Sequence, residues 1–259
     1  MIGFNGGLLG VRKVPTTGSA SGLWVPNEQS VAKRAGIWPS TPATDPNFAN
    51  VSLLLHADGT NGSTSFTDFS SNAHTITVYG DAQVTTTSPK FGTGALLLDG
   101  TGDCLSAPSH TSLTFGTGDL TIEAWVRFDT ISATQYIFSQ RDTSGISLNL
   151  FWDGTGARLN IFYPSGNTTT EPSYLIAADT YYHLAVTRSG TTFKMWVNGV
   201  ERASSTRIED ALSGTSIIGA RDSSGTTPLD GRIDDLRITK GVARYTATFT
   251  PPTAAFPDA

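Results

Sequence analysis

The sequence predicts an all-β fold, an antiparallel sandwich of two sheets. Three observations carry this. After residue 50, apolar residues recur with a period of two rather than 3.6. The runs are short, and each closes on Gly, Asn or Asp. The composition supplies many turns and a moderate core, with 27 Gly and 13 Pro in 259 residues, 38% hydrophobic and only 15% charged. A single sandwich can reach this length. A chain of this size also buries enough surface to fold without cross-links.

Residues 1–49 read as a separate N-terminal arm. MIGFNGGLLG is Gly-rich, with Phe4, Leu8 and Leu9 as apolar anchors, and VPTTGSASG reads as linker. EQSVAKRAG predicts one short helix, capped by Asn27 and closed by Gly36. Trp24 and Trp38 flank it. So short a segment buries little surface on itself. Its Phe, Leu and Trp side chains are expected to dock on a partner or a neighbouring subunit. The alternative is a loose tail with incidental aromatics.

The sandwich is expected over residues 50–259. In DLTIEAWVRF, Leu120, Ile122, Ala124, Val126 and Phe128 share one face, and Thr121, Glu123, Trp125 and Arg127 the other. That is a half-buried antiparallel strand. SLNLFW and RLNIFY flank DGTGA as a hairpin, and Trp152 keeps core parity with Leu148 and Leu150. YYHLAVTR places Tyr182, Leu184 and Val186 on one face. In TTFKMWVNGVERA, Phe193, Met195 and Val197 alternate with Lys194 and Trp196. Asn198-Gly199 then marks a tight hairpin, because both turn residues need positive φ. Trp125 and Trp196 point away from the apolar face. They are expected to be exposed, or to lie under loops or a neighbouring subunit. In GRIDDLRI, Leu236 and Ile238 fit one face while Ile233 has the opposite parity, which implies a bulge or burial on both sides. Pro251, Pro252 and Pro257 take the last segment out of the sheet.

Several classes are disfavoured. A net charge of −5 argues against a nucleic-acid surface. No apolar run approaches the ~18 residues of a membrane span, and no basic stretch followed by an apolar run opens the sequence as a secretory signal would. Cys104 is the only cysteine, so no intrachain disulfide forms, which suits folding in a reducing cytoplasm.

SLLLHADGTNGSTSFTD, FGTGALLLDGTGDCLSAP, GDLTIEAWVRF, YYHLAVTRSGTTFKMWVNGVERA and GRIDDLRI follow one another in an order that resembles the laminin-G-like / concanavalin A-like jelly roll, the lectin sandwich shared by pentraxins. YYHLAVTRSGTTFKMWVNGVERA looks like the central hairpin of those domains, and GARDSSGTTPLDGRIDDLRI like their penultimate loop and strand. The run GLWVPNEQSVAKRAGIWP, followed by DPNFANVSLLLHADGTNGSTSFTD, resembles the start of phage virion proteins. KGVARYTATFTPP resembles the closing segment of phage copies of the domain, where it packs back along the sandwich. Such a fold hosts binders, enzymes and structural modules alike.

The resemblance makes specific chemistry checkable. Glycosidases of this fold carry Glu-x-Asp-x-x-Glu on one strand, and retaining hydrolysis needs two carboxyls ~5 Å apart. Here TIEAWVRF has Glu123 alone, and Glu201 and Glu209 stand outside any such motif. His56, His74, His110 and His183 form no metal-ligating spacing. There is no nucleophile elbow or P-loop. The expectation is a non-enzyme. Relatives often hold a structural Ca²⁺, and the resemblance implies Asp58, Gly100 and Asp234 as its ligands, with the role of Asp234 against Asp235 left open. The alternative is that these acids cap turns and pair with Arg232 or Arg237. The pentraxin likeness implies a second site at Asp103 and Asp222, although the loop GARDSSG lacks the further acids and amides of that family. Asp222 alternatively serves an Asx-turn.

The reading is a phage virion structural protein, from a tail fibre, baseplate or capsid decoration. Its arm would anchor it to other virion proteins and copies of itself, as a homotrimer or higher ring by family analogy. Its lectin-like domain would adhere to host-surface glycans. The alternatives are a purely structural cement module and a glycan-cleaving enzyme.

Overall fold

Alternation along the chain becomes two sheets facing each other. In this computed structural model residues 44–141, 147–153, 159–162, 168–170, 176–206 and 214–259 are described. Phe4, Leu8, Leu9, Trp24, Trp38, the expected short helix and Glu209 lie outside them. The sandwich falls in one compact unit, Pro46–Asp258.

In chain order the strands are β1 (Val51–Leu55), β2 (Thr77–Tyr79), β3 (Gln83–Thr85), β4 (Ala95–Asp99), β5 (Cys104–Ala107), β6 (Leu120–Phe128), β7 (Gln135–Arg141) and β8 (Ser147–Trp152). There follow β9 (Leu159–Phe162), β10 (Thr168–Thr170), β11 (Tyr181–Ser189), β12 (Thr192–Val197), β13 (Val200–Thr206), β14 (Thr215–Ile218) and β15 (Asp230–Lys240). The larger sheet runs β13-β12-β11-β6-β15-β4-β3, with β1 also paired to β15. The smaller runs β10-β9-β8-β7-β14-β5-β2. Every pairing described is antiparallel. Helix among the described residues is confined to two 3-10 turns, Phe48–Asn50 and Thr111–Leu113.

The inner faces meet in one core. Leu120, Ile122, Ala124, Val126 and Phe128 enter it from β6, Leu184 and Val186 from β11, and Phe193, Met195 and Val197 from β12. Phe138, Leu148, Leu150 and Trp152 face them from the smaller sheet. Each large side chain fully buried here contributes about 1.5–3 kcal/mol. The Asn198-Gly199 turn forms as expected, with φ of 49° and 77°.

Two bulges re-aim side chains. Between Asp234 and Arg237 the pairing of β15 with β6 slips, and Asp235 adopts φ 52°. Ile233 and Leu236 therefore both reach the core. A second slip, between Tyr136 and Phe138, turns Tyr136 and Ser139 to the outer face while Ile137 and Phe138 fill the core.

After β15 the chain turns back over the outer face of the larger sheet. The Phe249 N–H donates to the Gly199 carbonyl at 3.0 Å. Its ring stacks on Tyr245, with centroids 3.5 Å apart, and meets Trp196 and His183 edge-on. Phe256 closes a small apolar cluster with Val51, Leu54 and Phe48. Trp196 is thus fully covered by the tail, and Trp125 lies beneath Lys90 and Phe91.

Candidate functional site

The outer face of the smaller sheet carries a groove of about 380 Å³. Its floor spans several strands. Tyr136 on β7 and Phe151 on β8 are direct cross-strand partners, and their rings lie 4.6 Å apart and within 9° of parallel. The bulge in β7 is what brings Tyr136 to this face. Beside them, the Ser139 hydroxyl donates to the Asn149 side-chain oxygen at 2.7 Å. Thr215 and Ile217 of β14 continue the floor, and Tyr79 of β2 closes its far side.

The wall is the loop that carries Arg221, Asp222 and Ser223. Asp222 shapes it. One carboxylate oxygen accepts from the Ser224 N–H, the Thr226 N–H and the Thr226 hydroxyl at 3.1, 3.4 and 2.8 Å. This is the Asx-turn reading, and these bonds hold the carboxyl below its usual range against the opposing effect of burial. Behind the loop, the Cys104 thiol lies 3.7 Å from the Asp222 carbonyl, and burial pushes it up to about 11. It is no nucleophile at neutral pH. The groove therefore offers flat aromatic faces ringed by hydroxyl, amide and guanidinium groups. That combination suits sugar rings, which present C–H faces and hydroxyl edges. Among the described residues of its lining, Asp222 is the one carboxylate, and it is held in the turn.

A second arrangement lies at the start of β4. One Asp58 oxygen accepts from the Thr93 N–H, the Thr93 hydroxyl and the Gly94 N–H. Gly92 adopts φ 56° there, and a Cβ on it would overlap the Asp58 carboxylate. Asp234 accepts from the N–H groups of Lys90 and Phe91 at 2.6 and 3.1 Å. The same loop thus binds both acids. Asp234 is buried, and burial first, then the charges of Asp235 and Asp58, push it up to about 7 despite those donors. Two carboxyls held by one loop suit a hard cation. Gly100 does not join them. It sits at the other end of β4, against Asp230. Gly94 and Gly100 flank that strand, so about 20 Å of extended chain separates the two turns. The glycine-bearing turn beside Asp58 and Asp234 is 90–94.

Asp103 is also displaced from its expected partner. It accepts the N–H groups of Asp81 and Asp99 at 2.8 and 3.1 Å, and its carboxylate gathers with theirs. Asp222 spends its bonds within its own loop, so the structure does not bring Asp103 and Asp222 together as one set of ligands.

Residues 99–244 match the Laminin_G_3 family, described as the concanavalin A-like lectin/glucanases superfamily. The chain belongs to this superfamily. No curated protein sequence matches it. Among solved structures it is similar to domain 4 of AbnA, an extracellular arabinanase of Geobacillus stearothermophilus, seen in complex with arabinotriose. The TM-score is 0.58 at 20% identity, over 75% of this chain and 94% of that one. It is also similar to the binding domain of Paraclostridial Mosquitocidal Protein 1, with TM-score 0.58 and 14% identity over 75% and 50% of the two chains. The botulinum neurotoxin serotype G binding domain gives 0.55 and 13% over 74% and 48%. This chain thus spans about half the length of the toxin binding domains. At such identities the likeness shows the fold.

In this concanavalin A-like domain the sequence did not single out the groove. No motif marks Tyr79, Tyr136 or Phe151. The signal was available in part: Phe151 alternates away from core-facing Leu150 and Trp152. Its pairing with Tyr136 depends on the bulge in β7, which no local pattern announces.

Proposed function

We propose that this chain binds glycans through the groove built on Tyr79, Tyr136 and Phe151, and does so as a structural component of a phage particle, without catalysis. The Tyr136–Phe151 platform carries the first part. The two rings stack face to face, next to the Ser139–Asn149 pair and in the same groove as Arg221. A sugar would set its C–H face against the stacked pair and turn its hydroxyls to the amide and guanidinium groups. The bound arabinotriose of the arabinanase domain supports a carbohydrate ligand for this fold. Supporting the virion role are the sequence likeness of the first segments to phage virion proteins, and the arm with Phe4, Leu8, Leu9, Trp24 and Trp38 as anchors toward other virion proteins or copies of itself.

Calcium belongs to the same reading. Asp58 and Asp234 would hold it beside the 90–94 loop, and the ion would offset the burial and the neighbouring charges that now raise Asp234. It would fix the loop over Trp125 and take no part in sugar recognition.

A glycan array with the full chain, including arabino-oligosaccharides and bacterial surface polysaccharides, tests the proposal. Binding to a defined set of glycans is expected. A blank array would favour the cement module, and cleavage of a bound glycan would favour an enzyme.

A further inference from the structure

We propose that His74, His110 and Ser112 form a binding site for a borderline divalent metal such as Zn²⁺, separate from both the groove and the carboxylate pair. The ring nitrogens of the two histidines converge on one oxygen. His74 Nε2 lies 3.0 Å from the Ser112 hydroxyl, and His110 Nδ1 lies 2.8 Å from it. The rings meet edge to face with centroids 5.0 Å apart. Three donor atoms of two chemical types thus crowd a single point, from segments 38 residues apart.

Both imidazoles are placed by their backbones. The chain turns through Ala73 at φ 47°, and the next N–H, that of His74, donates to Asp68 at 2.8 Å. Asp68 is itself fixed by the Leu54 and Ser70 N–H groups. His110 caps the 3-10 turn Thr111–Leu113, and its Nδ1 accepts the Ser112 N–H at 3.2 Å. That bond makes Nδ1 the unprotonated nitrogen, and an ion would take its lone pair from the Ser112 N–H. Burial lowers the His74 imidazole from its ordinary range, against the opposing charge of Asp68.

The donor set decides the ion. Imidazole favours Zn²⁺, Cu²⁺ and Ni²⁺ over Ca²⁺ and Mg²⁺, which take oxygen. Around an ion with ligand bonds of about 2.0–2.1 Å, tetrahedral ligand atoms lie roughly 3.3 Å apart, so the present separations of about 3 Å need open only slightly. His110 is exposed and His74 partly so. An ion can therefore enter from solvent and keep open positions for water. Bound there, it would tie the segment after β1 to the 3-10 turn before β6. The other two histidines are buried and engaged with carboxylates, His56 with Asp235 and Asp258, and His183 with Glu123.

The test uses the full chain without a polyhistidine tag, in excess Ca²⁺ to saturate oxygen sites. Zn²⁺ is titrated calorimetrically, and Co²⁺ is followed by its visible absorption. The wild type is expected to take one equivalent of Zn²⁺ and to show a Co²⁺ band. His74→Gln and His110→Gln should each weaken Zn²⁺ at least about tenfold, with unchanged circular dichroism. His110→Gln, at an exposed position, guards against a folding artefact at His74. No heat and no Co²⁺ band in the wild type would overturn the proposal. So would a double variant that binds as the wild type does.

Discussion

Arg237 grips Glu123 with two nitrogens, Nε at 3.0 Å and Nη2 at 2.8 Å from the same carboxylate oxygen. The two residues are register partners on β15 and β6. The other oxygen of Glu123 receives the Tyr245 hydroxyl at 2.7 Å and faces His183 Nε2 at 3.1 Å. Glu123 is fully buried beneath the C-terminal tail. A strand position that looks solvent-facing in sequence is thus the centre of an ionic network, and that network fastens the tail to the sheet.

Removing one member of a buried pair strands the other charge. Glu123→Ala should destabilise the domain by about 3–5 kcal/mol in urea denaturation. The pH dependence has a defined sign. Burial alone would raise Glu123, but Arg237, His183 and Tyr245 outweigh it and hold it at about 2, below its usual 4.5. Its contribution is fully present above pH ~4.5 and is lost as pH falls toward 2. Glu123→Gln should flatten that acid limb. An unchanged acid limb in the variant would refute the network's role.

His56 shows the opposite sign. Burial alone would lower it, yet Asp235 and Asp258 raise it from 6.5 to about 9. Its stabilisation is complete below pH ~6.5 and disappears as pH rises through about 9. Asp235 also receives the Phe256 N–H at 2.7 Å. Deprotonation of His56 should therefore loosen the chain end first. Hydrogen exchange at Phe256 should accelerate between pH 6.5 and 9 beyond the intrinsic rate, and His56→Gln should show that acceleration already at pH 6.

Calcium should act through Asp234. With that carboxyl raised from 3.8 to about 7, the metal-free domain loses stability as pH climbs between those values. A bound ion opposes the loss, adding about 2.7 kcal/mol at a hundredfold excess over its dissociation constant. The calcium-dependent rise in melting temperature should therefore grow from pH 5 to pH 8. Asp234→Asn should abolish the rise and stabilise the metal-free form at pH 8. Identical melts with calcium and with chelator would leave both acids as anchors of the 90–94 loop alone.

Much of the sandwich was legible because its causes are local. DLTIEAWVRF sorted its own faces, Asn198-Gly199 set its own turn, and the wrong parity of Ile233 announced a bulge that lies between Asp234 and Arg237. The groove was hidden because its residues come from β2, β7, β8, β14 and the 221–223 loop, and their adjacency is set by sheet order. Glu123 looked solvent-facing because its cover, Tyr245, lies 122 residues away. The resemblance implied Gly100, whereas the turn beside Asp58 carries Gly92. Only the register of β4 on β15, with Asp99 opposite Asp230 and Leu96 opposite Ile233, shows which end of β4 faces Asp234.

The central claim is that the Tyr136–Phe151 face binds sugar. The direct measurement is calorimetric titration of an array-selected glycan into wild type, Tyr136→Ala and Phe151→Ala, with a thermal melt of each. Both side chains are only partly buried, so the melts should stay close to wild type. Loss of one stacking platform should weaken binding at least about tenfold, or 1.4 kcal/mol. Glycan binding that survives both substitutions unchanged would contradict the account.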